Sequence, residues 1–311
     1  MSQEEQALSY VLITPARNEA RFIDGTIRSV IAQTRLPQMW VIVSDGSTDG
    51  TDEIVRNYLQ EYPWIKLIRN PESEERNFAS KVFAFNAGYQ SVRDLAFDVV
   101  GCLDADTSFG EGYFAFLLDR FASDPELGCA GTPFVEEGGY SSAVDSFEGD
   151  KHVAGGCQLF RRTCFEEIGG YIPNPGGCID WSAVVTARMK GWKTRSFREK
   201  HYFHHRSLGK AESSSLGAAF DYGKKDYMMG GHPLWESCRM VYRMGKKPYV
   251  LGGASLMWGY LWAWMSGVRR PVPDELVWFH RKEQMEKLKI IFSAYLRFKK
   301  IDKYTLTVKQ R

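Results

Sequence analysis

The chain has 311 residues, 44% of them hydrophobic and 25% charged, which is ordinary for a globular protein with a sizeable core. A net charge of only +2 points to no nucleic-acid partner. The six cysteines form no C-x-x-C pair, which argues against a zinc site or a disulfide framework and fits reduced thiols in the cytosol. The first residues, Met1-Ser2-Gln3-Glu4-Glu5-Gln6, carry neither a basic n-region nor an apolar core, so no signal peptide is expected.

In chain order, residues 10–14 form a short apolar run closed by Pro15, and an amphipathic stretch follows over about residues 21–33. Residues 40–44 make a second apolar run, ended by Asp45-Gly46-Ser47. Thr51 opens a helix pattern in which Ile54, Val55, Tyr58 and Leu59 recur at helical spacing. A third strand is predicted over 66–68, a helix over 80–91 and a fourth strand over 97–103. Strands alternating with helices of this length imply βαβ units and a mostly parallel sheet covered on both faces. Ligands bind such sheets beyond the C-terminal ends of the strands.

The polar residues fall at those ends. Pro15-Ala16-Arg17-Asn18-Glu19 follows the first strand and Asp45-Gly46-Ser47-Thr48-Asp49 the second; Lys81 and Asn86 sit on the next helix, and Asp104-Ala105-Asp106 ends the fourth strand. Two carboxylates at a strand end suit a hard divalent cation that bridges to a phosphate. The G-x-G-x-x-G loop of a dinucleotide-binding fold and the Walker lysine loop are both absent. A nucleoside diphosphate held through acidic residues and a metal is the reading that remains.

These pieces resemble the inverting glycosyltransferases of family 2, which have the GT-A fold. The resemblance rests on Thr14-Pro15-Ala16-Arg17-Asn18-Glu19, Ser44-Asp45-Gly46-Ser47-Thr48-Asp49, the stretch from Lys81 to Gly88, and Asp104-Ala105-Asp106. It continues through Gly155-Gly156, Phe160-Arg161-Arg162, Ile168-Gly169-Gly170-Tyr171, Asp180 and Gly191-Trp192, spanning roughly residues 8–210. The resemblance implies an α/β GT-A domain over residues 1–205, with a nucleotide-sugar half over about 8–131 and an acceptor half over about 132–205.

The resemblance also implies roles. Asp45 would accept a hydrogen bond from the nucleotide base, with Pro15, Ala16, Arg17 and Glu19 completing the base and ribose pocket and Lys81, Asp104 and Ala105 lining the donor. Asp106 would ligate Mn²⁺ or Mg²⁺ together with Asp104, and His204 or His205 would join the metal or the diphosphate. Asp180 matches the second position of the family's Glu-Asp pair, the catalytic base; Ile179 stands at the first position, which removes one acceptor-side carboxylate. Gly155, Gly156 and Trp181 would lie on the acceptor side. Bland readings stand beside these: Asp45 also suits a turn, Asp180 a helix N-cap, Lys81 a solvated helix face and the histidines a packed pair.

Residues 206–311 are expected to form a mainly helical extension. No charged residue occurs between Lys247 and Arg269, and residues 249–265 are rich in Trp and Tyr. An interfacial or re-entrant segment, a soluble core helix and a true span all fit this pattern, although Gly252, Gly253 and Gly259 weaken it. From Arg281 to Arg311 ten Lys or Arg face three acidic residues, and interleaved Leu288, Ile291, Phe292, Tyr295, Leu296 and Phe298 give an amphipathic cationic helix suited to anionic lipid. The expectation is a metal-dependent transferase, peripheral on the cytoplasmic face of the cell membrane, moving sugar from a nucleotide-diphosphate donor to a lipid-linked or polysaccharide acceptor. The rival activities are a sugar-1-phosphate nucleotidyltransferase, which should carry a glycine-rich loop after the first strand, and a non-catalytic relative, which would have lost a carboxylate. Processive polymerases are disfavoured because no Q-x-x-R-W stretch follows the base helix.

Overall fold

The Val- and Ile-rich runs become strands whose side chains alternate between two cores. The computed structural model describes residues 7–71, 78–137, 139–145, 149–174, 176–206, 215–299 and 302, in two units, Met1–Arg206 and Ser207–Arg311. In the first, the elements are β1 (Tyr10–Ala16), α1 (Ile23–Ile31), β2 (Met39–Asp45), α2 (Thr51–Leu59), β3 (Ile65–Asn70), α3 (Phe78–Val92), β4 (Val99–Leu103), β5 (Thr107–Ser108), α4 (Tyr113–Ser123) and β6 (Leu127–Gly131). There follow β7 (Phe134–Glu136), a short α5 (Ser142–Asp145), β8 (Cys157–Arg161), α6 (Arg162–Glu167), α7 (Ile179–Met189), β9 (Lys193–Ser196) and β10 (Tyr202–His204).

The main sheet has the order β3-β2-β1-β4-β8-β6-β9 and is parallel throughout except for β8, which runs against both β4 and β6. Tyr10, Leu12, Trp40, Ile42 and Leu103 point into one core, and Val11, Ile13, Val41, Val43 and Val100 into the other. That period-2 alternation, with apolar residues on both faces, requires helices on both sides. The architecture is therefore the mostly parallel α/β sheet that the sequence implied.

The expected bounds shift by one or two residues at several elements, and the end of the first strand differs in kind. Pro15 does not close β1: it pairs in register with Val43, and the strand continues to Ala16. β4 accompanies β1 only as far as Ile13, so Pro15 lies where β1 has a single ladder neighbour and a missing N–H is tolerated. A second sheet, β5-β10-β7, was not anticipated.

The second unit contains α8 (Ser215–Met228), α9 (Pro233–Met244), α10 (Tyr249–Met265) and α11 (Asp274–Leu296). The cationic helix begins at Asp274, well before Arg281, because Pro273 supplies the cap position and the acidic Asp274 and Glu275 suit a first turn. Its expected continuation over 300–301 and 303–311 lies outside the described residues. Among the described residues no helix is long and apolar enough to cross a membrane, so residues 249–265 do not form the spanning helix that was one of their readings.

Candidate functional site

The Asp104-Ala105-Asp106 turn is fixed through its backbone. The amide of Asp104 donates to the carbonyl of Gly156 at 2.9 Å, and the Thr107 hydroxyl donates to the Asp104 carbonyl at 2.9 Å. From α1, the buried Thr26 hydroxyl sits 2.7 and 2.8 Å from the carbonyl oxygens of Ala105 and Thr107 and shares its one proton between them. Turn geometry is thus held without engaging either carboxylate.

The small sheet brings the third ligand. His204 pairs with Thr107 across β5 and with Glu136 across β7. One ligand atom each from Asp104, Asp106 and His204 lies within 4.8 Å of the others. His204 Nε2 is 3.6 Å from Asp106 Oδ1, and its Nδ1 is 3.8 Å from the buried carboxylate of Glu136. Successive side chains on an extended chain point to opposite sides. His205 accordingly turns elsewhere, with Nε2 2.8 Å from the Ser108 hydroxyl and its ring stacked on Phe22 at 6.3 Å between centroids. Of the two candidate histidines, the structure brings His204 to the carboxylates.

Charge is crowded here. Burial pushes the Asp106 carboxyl above its ordinary range and the Asp104 charge adds to this, while His204 and Arg206 oppose it. Two basic side chains meet these acids: Lys81 Nζ lies 2.5 Å from Asp104 Oδ1, and Arg206 Nε lies 3.4 Å from Asp106 Oδ2. Arg206 also holds Glu19, whose carboxyl is pushed up to about 7 by burial, against Arg206 and with help from Asp106 and Asp104. Hard carboxylate oxygens with one imidazole, in a buried place where like charges raise each other's cost, are a donor set that fits Mn²⁺ or Mg²⁺.

On one flank, two loops are knitted together. Asn18, in the left-handed region with φ 57°, donates its amide to the Ser47 hydroxyl at 3.1 Å and accepts from the Thr48 amide at 2.9 Å. Asp49 accepts from the amides of Ala20 and Thr51. The result sets Arg17 Nη1 3.7 Å from Asp45 Oδ2, beside Pro15 and Ala16 at the end of β1. The residues assigned to the nucleotide from sequence therefore converge on one edge of the sheet.

On the other flank stands Asp180. It is not the helix N-cap: α7 starts at Ile179, and the cap position belongs to Cys178, whose φ is 59°. The side chain of Asp180 packs over Gly155, where a Cβ would come within 2.8 Å of Oδ2. At Gly156, a Cβ would come within 2.6 Å of the Tyr202 hydroxyl. Both glycines are thus required by close approach, and they separate Asp180 from the Asp104 turn. Lys81 registers both carboxylates. Burial would lower its pKa, but Asp104 first, and Asp180 more weakly, hold the ammonium above its ordinary value. The fully buried Gln158 braces this flank, donating to the Val153 carbonyl at 2.7 Å and accepting from the Tyr171 hydroxyl at 2.8 Å. Trp181 is half-buried beside Asp180, whereas Ile179 is buried and cannot serve as a surrogate for a carboxylate.

Sequence reasoning missed Glu136, Arg206, Thr26 and Gln158. The polar residue Gln158 inside an apolar strand, Cys157–Arg161, was the one such signal available to it.

The model of glycosyl transferase family 2 matches residues 11–169. A curated relative, the poly-β-1,6-N-acetyl-D-glucosamine synthase of Staphylococcus epidermidis, is 22% identical over 226 residues, which is 66% of this chain but only 50% of that protein. The chain spans about half the length of that relative. Among solved structures, the mannosyltransferase PcManGT from Pyrobaculum calidifontis in complex with GDP-Man and Mn²⁺ aligns with a TM-score of 0.54 and 16% identity, over 96% of this chain and 84% of that one. S. aureus TarS 1-349 in complex with UDP-GlcNAc aligns with a TM-score of 0.53 and 12% identity, over 93% and 92% of the two chains. These likenesses show a GT-A fold.

Proposed function

The chain belongs to glycosyl transferase family 2, and on that premise we propose that it moves a sugar from a nucleoside diphosphate to a hydroxyl of a lipid-linked or polysaccharide acceptor, inverting the anomeric carbon. One observation carries the reading: the Asp180 carboxylate and the group of Asp104, Asp106 and His204, whose ligand atoms lie within 4.8 Å of one another, flank the same Gly155-Gly156 pair. A single displacement needs opposite-facing groups of these two kinds.

In this reading Asp45 accepts a hydrogen bond from the nucleotide base, and Pro15, Ala16, Arg17 and Glu19 enclose base and ribose. Asp104, Asp106 and His204 would hold Mn²⁺ or Mg²⁺, which when bound supplies positive charge to the departing diphosphate. Lys81 and Arg206, already paired with the same acids, add positive charge on the diphosphate side. Glu136, 3.8 Å from His204 Nδ1, adds negative charge beside that ring. Asp180 takes the proton of the acceptor hydroxyl as its oxygen bonds to the anomeric carbon and the bond from that carbon to the diphosphate breaks. The products are the glycoside, with inverted configuration, and a nucleoside diphosphate. Trp181 offers the acceptor an apolar face.

The acceptor is placed, in this proposal, at the cytoplasmic face of the cell membrane. Sugar nucleotides arise in the cytosol, and the second unit exposes Trp258, Trp264 and Trp278. The test is nucleotide release from UDP-, dTDP- and GDP-sugars, with and without Mn²⁺. Release from at least one donor that depends on a divalent ion and is accelerated by membrane extract supports the reading; no release from any donor sinks it.

A further inference from the structure

Helix α10 is built inside out for a water-soluble bundle. Its buried positions are Gly252, Gly253, Leu256, Gly259, Tyr260 and Ala263. Neighbouring helices approach that face so closely that a methyl group on Gly259 would overlap the backbone carbonyl of Phe220, and one on Gly223 of α8 would overlap that of Leu256. Its outward positions are large and apolar: Leu251 is 64% exposed, Trp258 54% and Met265 60%, with Trp262 between them. At 100° per residue, Leu251, Trp258, Trp262 and Met265 fall within an arc of about 60°. Water drives large apolar side chains inward. Where the surroundings are themselves apolar that drive disappears, and small residues pack helix against helix while large ones face out.

The charge of the second unit favours an anionic neighbour. Residues 207–311 carry 19 Lys and Arg against 9 Asp and Glu, a net charge of +10, whereas residues 1–206 carry −8. Lysines stand next to the exposed rings: Lys224 Nζ is 5.6 Å from the Trp262 ring, Lys246 4.9 Å from Tyr242 and Lys282 5.6 Å from Trp278. Aromatic rings beside lysine suit the headgroup level of a bilayer. Two copies meeting stripe to stripe would set the +10 of one second unit against the +10 of the other. At 1.5 Å per residue α10 is about 26 Å long, short of a hydrocarbon core of about 30 Å, which fits lying in one leaflet rather than crossing.

We propose that the outer stripe of α10, Leu251, Trp258, Trp262 and Met265, inserts into one leaflet of an anionic bilayer, with Lys224 and its fellow lysines on the lipid phosphates. This deepens the membrane reading given above by naming the inserting surface. Vesicle binding needs no donor, so its failure and that of the transfer reaction are read separately.

The test is flotation of the full chain with phosphatidylcholine vesicles, with and without phosphatidylglycerol. The wild type should float with the anionic vesicles at low salt, and Trp258→Glu/Trp262→Glu should lower its partitioning on the order of 10-fold or more. Both side chains are exposed, and donor hydrolysis by the double variant checks that it is folded. The milder Trp258→Phe/Trp262→Phe should keep flotation and lose much of the tryptophan quenching by brominated lipid. A wild type that ignores anionic vesicles, or a Glu variant that floats equally well, overturns the proposal. So does a wild-type dimer that the same Glu substitutions turn into a monomer, since a second copy would then be the occupant.

Discussion

Gly155 lies so close beneath Asp180 that a Cβ there would stand 2.8 Å from Oδ2, 2.9 Å from Cβ and 3.0 Å from Cγ of the aspartate. All three nearest atoms belong to one side chain, so Gly155→Ala must displace that side chain. We expect kcat to fall by ~10- to 100-fold with donor KM little changed, because geometry at the reacting hydroxyl is lost while donor contacts are kept. Steady-state kinetics with donor and acceptor varied separately check this, and an unchanged kcat would remove Asp180 from proton transfer.

Asp180→Asn keeps the shape of the side chain but cannot take a proton. Its kcat should drop by ~10²–10⁴ while nucleotide binding by calorimetry stays near that of the wild type. Near-normal turnover would assign the base elsewhere. Product anomeric configuration, read by NMR, should be inverted; retention is incompatible with a single displacement.

Removing divalent ions should silence the wild type, and Mn²⁺ should restore it. Asp106→Ala should abolish transfer and weaken Mn²⁺ binding, read directly by calorimetry without substrate. His204→Ala should weaken that binding more than His205→Ala does, since only the first ring reaches the carboxylates. Equal effects of the two substitutions, or full activity after exhaustive chelation, would disprove the cluster's role.

Glu236 of α9 gives a pH prediction away from the site. It is fully buried, and burial, with the Asp226 carboxylate adding and Arg239 opposing, pushes its carboxyl from 4.5 up to about 8. Over that window the folded state holds a proton that the unfolded chain has released. Stability from this group is therefore complete below the unfolded value and is lost as pH rises toward about 8. Amide exchange in α9 should quicken from about pH 5 to about pH 8 beyond the intrinsic rate, and Glu236→Gln should flatten that trend. A variant with the wild-type slope would show that Glu236 does not titrate there.

Much of this was legible in the sequence, for reasons that particular residues make plain. Runs such as Val11-Leu12-Ile13 and Val41-Ile42-Val43 are long enough to announce buried strands, and the polar residues just beyond them mark the edge that carries the candidate site. The small sheet was not legible. Its strands have two or three residues, too few for any alternation to show, and so nothing in Phe203-His204-His205-Arg206 says which histidine turns inward. Glu136 was hidden for the same reason, and the partnership of Arg206 with Glu19 spans 187 positions of sequence. In α10 the apolar run predicts a helix but is apolar all round, so only packing reveals that glycines took the inside.

Strand β8 runs against β4 and pairs Leu103 with Cys157, which brings Gly155 and Gly156 to the same sheet edge as Asp104. The Asp104 turn and the Gly155-Gly156 pair are thus joined by one rung of backbone instead of by a loop. A change in the register of that rung would therefore shift the Asp104 turn and the glycines beneath Asp180 relative to each other.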